Sequence, residues 1–149
     1  MMDIPHESNG DGLVVLSFSA NMQYVRPVRH FIHALCKLAD YEDDESEEIQ
    51  LVATEILNNS IEHGSAGPED EIDVTMTVSA AEFRFEVVDP GRGGAGFAEK
   101  ALAQADQMPD IEEPRGRGLF LIKRFMDHLD ISWDADKGTR TIVSKTRQQ

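Results

Sequence analysis

The chain has 149 residues, enough for a sizeable core, and its 28 acidic against 14 basic side chains (formal charge −14) are the wrong balance for gripping nucleic-acid phosphates. No apolar run is long enough to cross a bilayer, and Met1-Met2-Asp3-Ile4-Pro5-His6 has neither a cationic nor an apolar leader region, so no membrane association is expected and the expected location is cytoplasmic. No Pro/Ser-rich linker divides the chain, which predicts a single domain over 1–149 with a short flexible N-terminus.

Residues 13–19, Leu-Val-Val-Leu-Ser-Phe-Ser, read as a strand, and Val25, Val28, Ile32, Leu35 and Ala39 then recur at helical spacing. Cys36, the only cysteine, falls on that apolar pattern beside Leu35 and is expected to be a small buried hydrophobe rather than a reactive thiol. His30 and His33 have metal-compatible spacing, but Arg26, Arg29 and Lys37 would repel a cation, so a solvated or partner-facing role is expected. The acidic run 42–48 suits a helix start, with Asp44-Glu45-Ser46-Glu47 at capping-box spacing. The helix should cover 45–63, burying Ile49, Val52, Ala53, Ile56, Leu57 and Ser60 and stopping at Gly64.

Ile72, Val74, Met76 and Val78 alternate with polar residues, as do Phe83, Phe85 and Val87, and the short link 79–82 makes the two segments a hairpin. Residues 95–115 are largely polar, with weak helical signal over 97–105, and are read as a lid. A helix over 117–128 and a hairpin of 129–133 with 139–145 complete the pattern. Hairpins with helices between them predict an α+β fold, a two-layer sandwich whose mixed, mainly antiparallel sheet has helices on one face.

Three segments carry chemistry. On the helix 45–63, Glu55 and Asn59 lie about 40° apart at the rim of the apolar stripe. A carboxylate and an amide so placed can activate a nucleophile and hold Mg²⁺, although an ordinary solvated helix edge would look the same. His63 continues the row, either as a nucleotide contact or as a normal helix-end residue. Asp89 keeps the phase of Phe83, Phe85 and Val87, which puts a carboxylate on the apolar face of a strand end, where it needs a donor. Gly91, Gly93 and Gly94 follow at once and allow close backbone approach to a ligand, and an amino-bearing heterocycle would satisfy Asp89; a structural turn aspartate is the plainer alternative. Gly116-Arg117-Gly118 opens a helix whose free N–H groups suit phosphate, and Arg115 and Arg117 add positive charge.

In this combination, from Leu13 to near Lys145, the chain resembles the GHKL ATPase superfamily, and more closely its small anti-sigma-factor serine/threonine protein kinases. The resemblance implies a Bergerat-type ATP-binding fold with ATP and Mg²⁺ as cofactors. It implies that Glu55 is the general base and Asn59 the Mg²⁺ ligand, that Asp89 of Asp89-x-Gly91-x-Gly93 contacts the adenine amino group, that Gly116 and Gly118 close a lid onto the phosphates beside Arg117, and that Gly138-Thr139 lies near adenine. It further implies a sigma factor and an antagonist protein as partners, and a homodimer. Histidine-kinase domains of the superfamily typically carry asparagine where this chain has Glu55, and often a basic residue where it has Glu62, which favours the serine-kinase branch. The rival expectation is a nucleotide-binding interaction module without phosphotransfer; a chaperone or topoisomerase fragment would need further domains.

Overall fold

In the computed structural model, which describes residues 12–107 and 117–147, strand β1 (Leu13–Ser19) leads through a short 3-10 turn (Met22–Tyr24) into helix α1 (Val25–Leu38), followed by α2 (Asp43–Glu62). The hairpin β2 (Glu71–Val78) and β3 (Glu82–Asp89) comes next, then α3 (Ala95–Ala105), α4 (Arg117–Phe125) and the hairpin β4 (His128–Asp134) and β5 (Gly138–Thr146). Among the described residues the sheet has the order β1-β2-β3-β5-β4, and each of its pairings is antiparallel. The α+β sandwich is as expected, and the mixed sheet resolves into a wholly antiparallel one.

One row across all five strands shows why one face is dry: Val14, Met76, Phe85, Val143 and Leu129 stand in register. Met76, Phe85 and Val143 are fully buried, and each such side chain contributes about 1.5–3 kcal/mol. The row three residues further along, Ser17, Asp73, Val88, Arg140 and Ser132, has the opposite phase and turns to the other face because side chains alternate along a strand. Helix α2 supplies the opposing layer, and all six residues of its expected stripe are buried.

Helix α2 starts earlier than expected. Glu42 is its N-cap, with the Glu42 amide donating to Glu45 Oε1 at 3.3 Å, so the capping box begins at Glu42 rather than Asp44. The weak helical signal over 97–105 is a helix, α3, that buries Ala98, Ala101 and Ala105; residues 108–115 of the expected lid, and Gly116 after them, lie outside the described residues. Cys36 is buried, as expected. His33 does not face a partner: its Nδ1 lies 3.0 Å from Gln50 Nε2 and 3.3 Å from Ser46 Oγ, tying α1 to α2.

Candidate nucleotide site

The C-terminal half of α2, the end of β3 and the start of β5 converge on Asp89. The strand phase that makes Phe83, Phe85 and Val87 core residues carries Asp89 inward as well, leaving it 4% exposed. Its Oδ1 accepts the Gly91 amide at 2.8 Å. Gly64, just past α2, presses so closely that a Cβ there would stand 2.1 Å from Asp89 Oδ2, and Gly138 approaches from β5 so closely that its Cβ would meet the Asp89 carbonyl oxygen at 1.9 Å. Gly91 (φ +73°) and Gly138 (φ +84°) also use the left-handed backbone region that favours glycine. Trp133 Nε1–H donates to the Gly91 carbonyl at 3.0 Å and pins the turn.

Burial raises the Asp89 carboxyl above the ordinary carboxylate range, against the opposing pull of the Gly91 amide, the Ser60 hydroxyl, and the amide and hydroxyl of Thr139. None of these partners is a cation. Thr139, cross-strand from Asp89, is itself buried, and its Oγ1 has no partner of full hydrogen-bond geometry among the described residues. A buried acceptor beside an underused hydroxyl suits a ligand that both donates and accepts hydrogen bonds, which is the edge chemistry of an amino heterocycle.

Asn59, Ser60, Asp89 and Thr141 line one small cavity together with apolar groups that include Ile56, Phe97 and Leu119, so polar and apolar side chains face the same space between α2, the sheet, α3 and α4. Glu55, one turn before Asn59 on α2, is half-buried against α4, where a Cβ on Gly118 would stand 2.2 Å from Glu55 Oε2. Burial raises the Glu55 carboxyl, and the nearby charge of Glu62 raises it further. The amide oxygen of Asn59 is a hard donor of the kind Mg²⁺ prefers, and the Glu55 carboxylate one turn away on the same helix is left to accept a proton, so the residues present fit a metal-bound nucleotide.

The site residues proposed from sequence therefore fall into two groups. Asn59, Asp89, Gly91 and Thr139 gather at the buried end, whereas Glu55 and Gly118 meet at the α2–α4 contact. Gly93 sits at the rim, where its Cβ would approach Phe97 Cβ at 3.1 Å and the His63 carbonyl at 3.3 Å. The exposed His63 ring lies 5.9 Å from that of Phe97. Arg117 is the first residue of α4, and Gly116 lies outside the described residues. Sequence reasoning missed Ser60, Gly64 and Trp133 as supports of Asp89. The available signal was Ser60, a hydroxyl in an otherwise apolar stripe.

A family described as the histidine kinase-like ATPase domain matches residues 18–145. An anti-sigma F factor of Clostridium botulinum (strain Eklund 17B / Type B) is 28% identical over 131 residues, covering 87% of this chain and 91% of that protein. An anti-sigma F factor of Halalkalibacterium halodurans is likewise 28% identical over 131 residues, covering 87% of this chain and 89% of its own. Among solved structures, a chain of the SiaB-SiaC complex from Pseudomonas aeruginosa has a TM-score of 0.69 at 13% identity, over 90% of this chain and 88% of that one. The structure of the RsbU and RsbW domains of a Mycobacterium tuberculosis protein has a TM-score of 0.61 at 15% identity, over 92% of this chain but 33% of that longer one. At such identities the two structures speak to the fold alone.

Proposed function

The chain belongs to the histidine kinase-like ATPase domain family, and from that premise we propose that it is an ATP-dependent serine/threonine protein kinase acting as an anti-sigma-type switch. In this reading it binds a sigma factor, phosphorylates an antagonist protein, and works as a cytoplasmic homodimer. The observation that carries the catalytic part is the separation of two carboxylates: Asp89 is enclosed at the bottom of the pocket, and Glu55 stands half-buried on the same helix as Asn59. One can recognise a base while the other accepts a proton. The anti-sigma part is supported by the two relatives named anti-sigma F factor, which match over most of their length.

Asp89 would accept a hydrogen bond from the adenine amino group, with Thr139 and the Gly91 turn holding the same ring edge. Asn59 would give its amide oxygen to Mg²⁺, and the backbone of Arg117 and Gly118 at the start of α4 would face the phosphates, with Gly116, which precedes them in sequence, assigned to the same loop by the family motif. Bound Mg-ATP supplies the phosphoryl group and the positive charge that offsets its oxygens. Glu55 takes the proton of the acceptor hydroxyl, and its raised pKa brings it nearer the working pH of a general base.

Incubation of the wild-type chain with γ-labelled ATP, Mg²⁺ and an antagonist-type protein from the same genome tests this reading. Labelled serine or threonine on that protein is expected. Binding of Mg-ATP with no transfer would leave a nucleotide-binding interaction module in place of a kinase.

A further inference from the structure

We propose that Arg92 is a positioning residue that clamps the turn carrying Asp89 to the loop after α2 and thereby sets nucleotide affinity, an inference that rests on the nucleotide reading above. The segment Gly91-Arg92-Gly93-Gly94 is mostly glycine, the residue that loses most conformational freedom when fixed. Gly91 and Gly94 both hold positive φ, +73° and +79°. Such a segment can wall a binding site only where it is tethered. The Gly91 amide donates to Asp89 Oδ1 at 2.8 Å, and Trp133 Nε1–H donates to the Gly91 carbonyl at 3.0 Å. Arg92 supplies the tethers on the other side.

Arg92 grips both ends of the loop 64–70. Its backbone amide donates to the Gly64 carbonyl at 3.0 Å, and its guanidinium forks onto Asp70, with Nη2 3.2 Å from Oδ1 and Nε 3.4 Å from Oδ2. Gly64 is the residue whose missing side chain leaves room for Asp89 Oδ2, so one wall around Asp89 stands where Arg92 holds it. Asp70 is a fixed post. Its side chain is 14% exposed, its Oδ2 accepts the Ala66 amide at 2.7 Å, its own amide donates to the Gly67 carbonyl at 3.0 Å, and its carbonyl accepts the Ala20 amide at 2.8 Å. The Arg92 fork, and after it the Ala66 amide, hold the Asp70 carboxyl below the ordinary carboxylate range. A guanidinium committed to a carboxylate has its charge offset, which suits it to shaping the site and not to gripping phosphate.

The test measures ATP and ADP affinity, with Mg²⁺, by calorimetric titration of the full chain as wild type, Arg92→Ala, Arg92→Lys, Asp70→Asn and the Arg92→Ala/Asp70→Asn double variant, with thermal melts to show that each is folded. Arg92→Ala and Asp70→Asn should each weaken both nucleotides about threefold to fivefold, the scale of a well-formed exposed ion pair, and the double variant should be no weaker than either. Arg92→Lys should fall between, because an ammonium cannot fork onto two oxygens. Trp133 is the single tryptophan, so its indole N–H gives one proton resonance that reports the Gly91 turn with no nucleotide present. That resonance should move upfield in Arg92→Ala and in Asp70→Asn, as the hydrogen bond to Gly91 loosens. If wild type binds no ATP, the nucleotide reading fails and the resonance alone decides the clamp. An unmoved resonance in both single variants overturns the proposal, as does wild-type affinity in Arg92→Ala or an additive loss in the double variant. A loss larger for ATP than for ADP overturns it too, because Arg92 would then be a phosphate contact.

Discussion

Gly118 and Glu55 touch across the α2–α4 contact so closely that a methyl group on residue 118 would stand 2.2 Å from Glu55 Oε2. The first turn of α4 therefore helps to hold the carboxylate proposed as the base. Gly118→Ala should displace it by about 1 Å and, since a displacement of that size in a catalytic group costs about a hundredfold, lower phosphotransfer by about that factor. Steady-state transfer assays beside calorimetric ATP titration check this. Affinity should change less than rate, because Asn59 and Asp89 are untouched and the added methyl meets the Glu55 side chain.

Asp89→Asn should weaken ATP binding by about 2 kcal/mol or more, since an acceptor-only group in a buried site is replaced by one that presents its own donor. The protein should remain folded, because the substitution removes a buried charge whose pKa is already raised by burial. Calorimetric titration with circular dichroism separates the two effects. Unchanged affinity would remove Asp89 from the site.

The pH dependence of stability has a defined sign. Burial raises both Asp89 and Glu55, so the folded state binds these protons more tightly than the unfolded chain does. Their contribution is fully present below the unfolded carboxylate pKa and is lost as pH rises through the elevated folded value. The Asp89→Asn/Glu55→Gln double variant should therefore lose less stability than wild type between mildly acidic and neutral pH. Urea midpoints measured across that range check it. Glu45, lowered in part by Arg147, acts in the opposite sense in both proteins and drops out of the difference.

Much of this arrangement was legible in the sequence, for physical reasons that also set its limits. The α2 stripe from Ile49 to Ser60 follows a single unbroken period, and Asp89 is located by strand phase, so both were found. The capping box slid because consecutive acids at 42–45 offer several equivalent starts. Helix α3 left only a weak helical signal over 97–105, because its buried face is made of alanines, which give almost no amphipathic contrast. Gly64 read as a helix stop, and only the packing of β3 beneath α2 reveals that its missing side chain makes room for Asp89. The β1–β2 pairing, which sets Ser17 against Asp73, joins segments far apart in the chain with no turn to announce it.

Arg147, past the end of β5, is a structural anchor that sequence reading passed over. Its guanidinium lies 3.9 Å from the centre of the Tyr41 ring, pairs with Glu45 Oε1 at 3.1 Å, and donates to the carbonyls of Ala39, Asp40 and Ala80. Arg147→Ala should destabilise the fold by about 1–3 kcal/mol, with Arg147→Lys recovering only part, because an ammonium cannot fork to so many acceptors. Chemical denaturation measures both, and ATP affinity of the folded fraction should be unchanged.

Glu55→Gln and Asn59→Ala, compared in ATP binding and phosphotransfer, test the central claim most directly, because the two side chains share one helix edge and are assigned different work. Asn59→Ala should lose the Mg²⁺-dependent part of ATP binding. Glu55→Gln should keep ATP affinity nearly intact while phosphotransfer falls about a hundredfold to ten-thousandfold, since only the proton acceptor is removed. Phosphotransfer by Glu55→Gln at the wild-type rate would contradict the account.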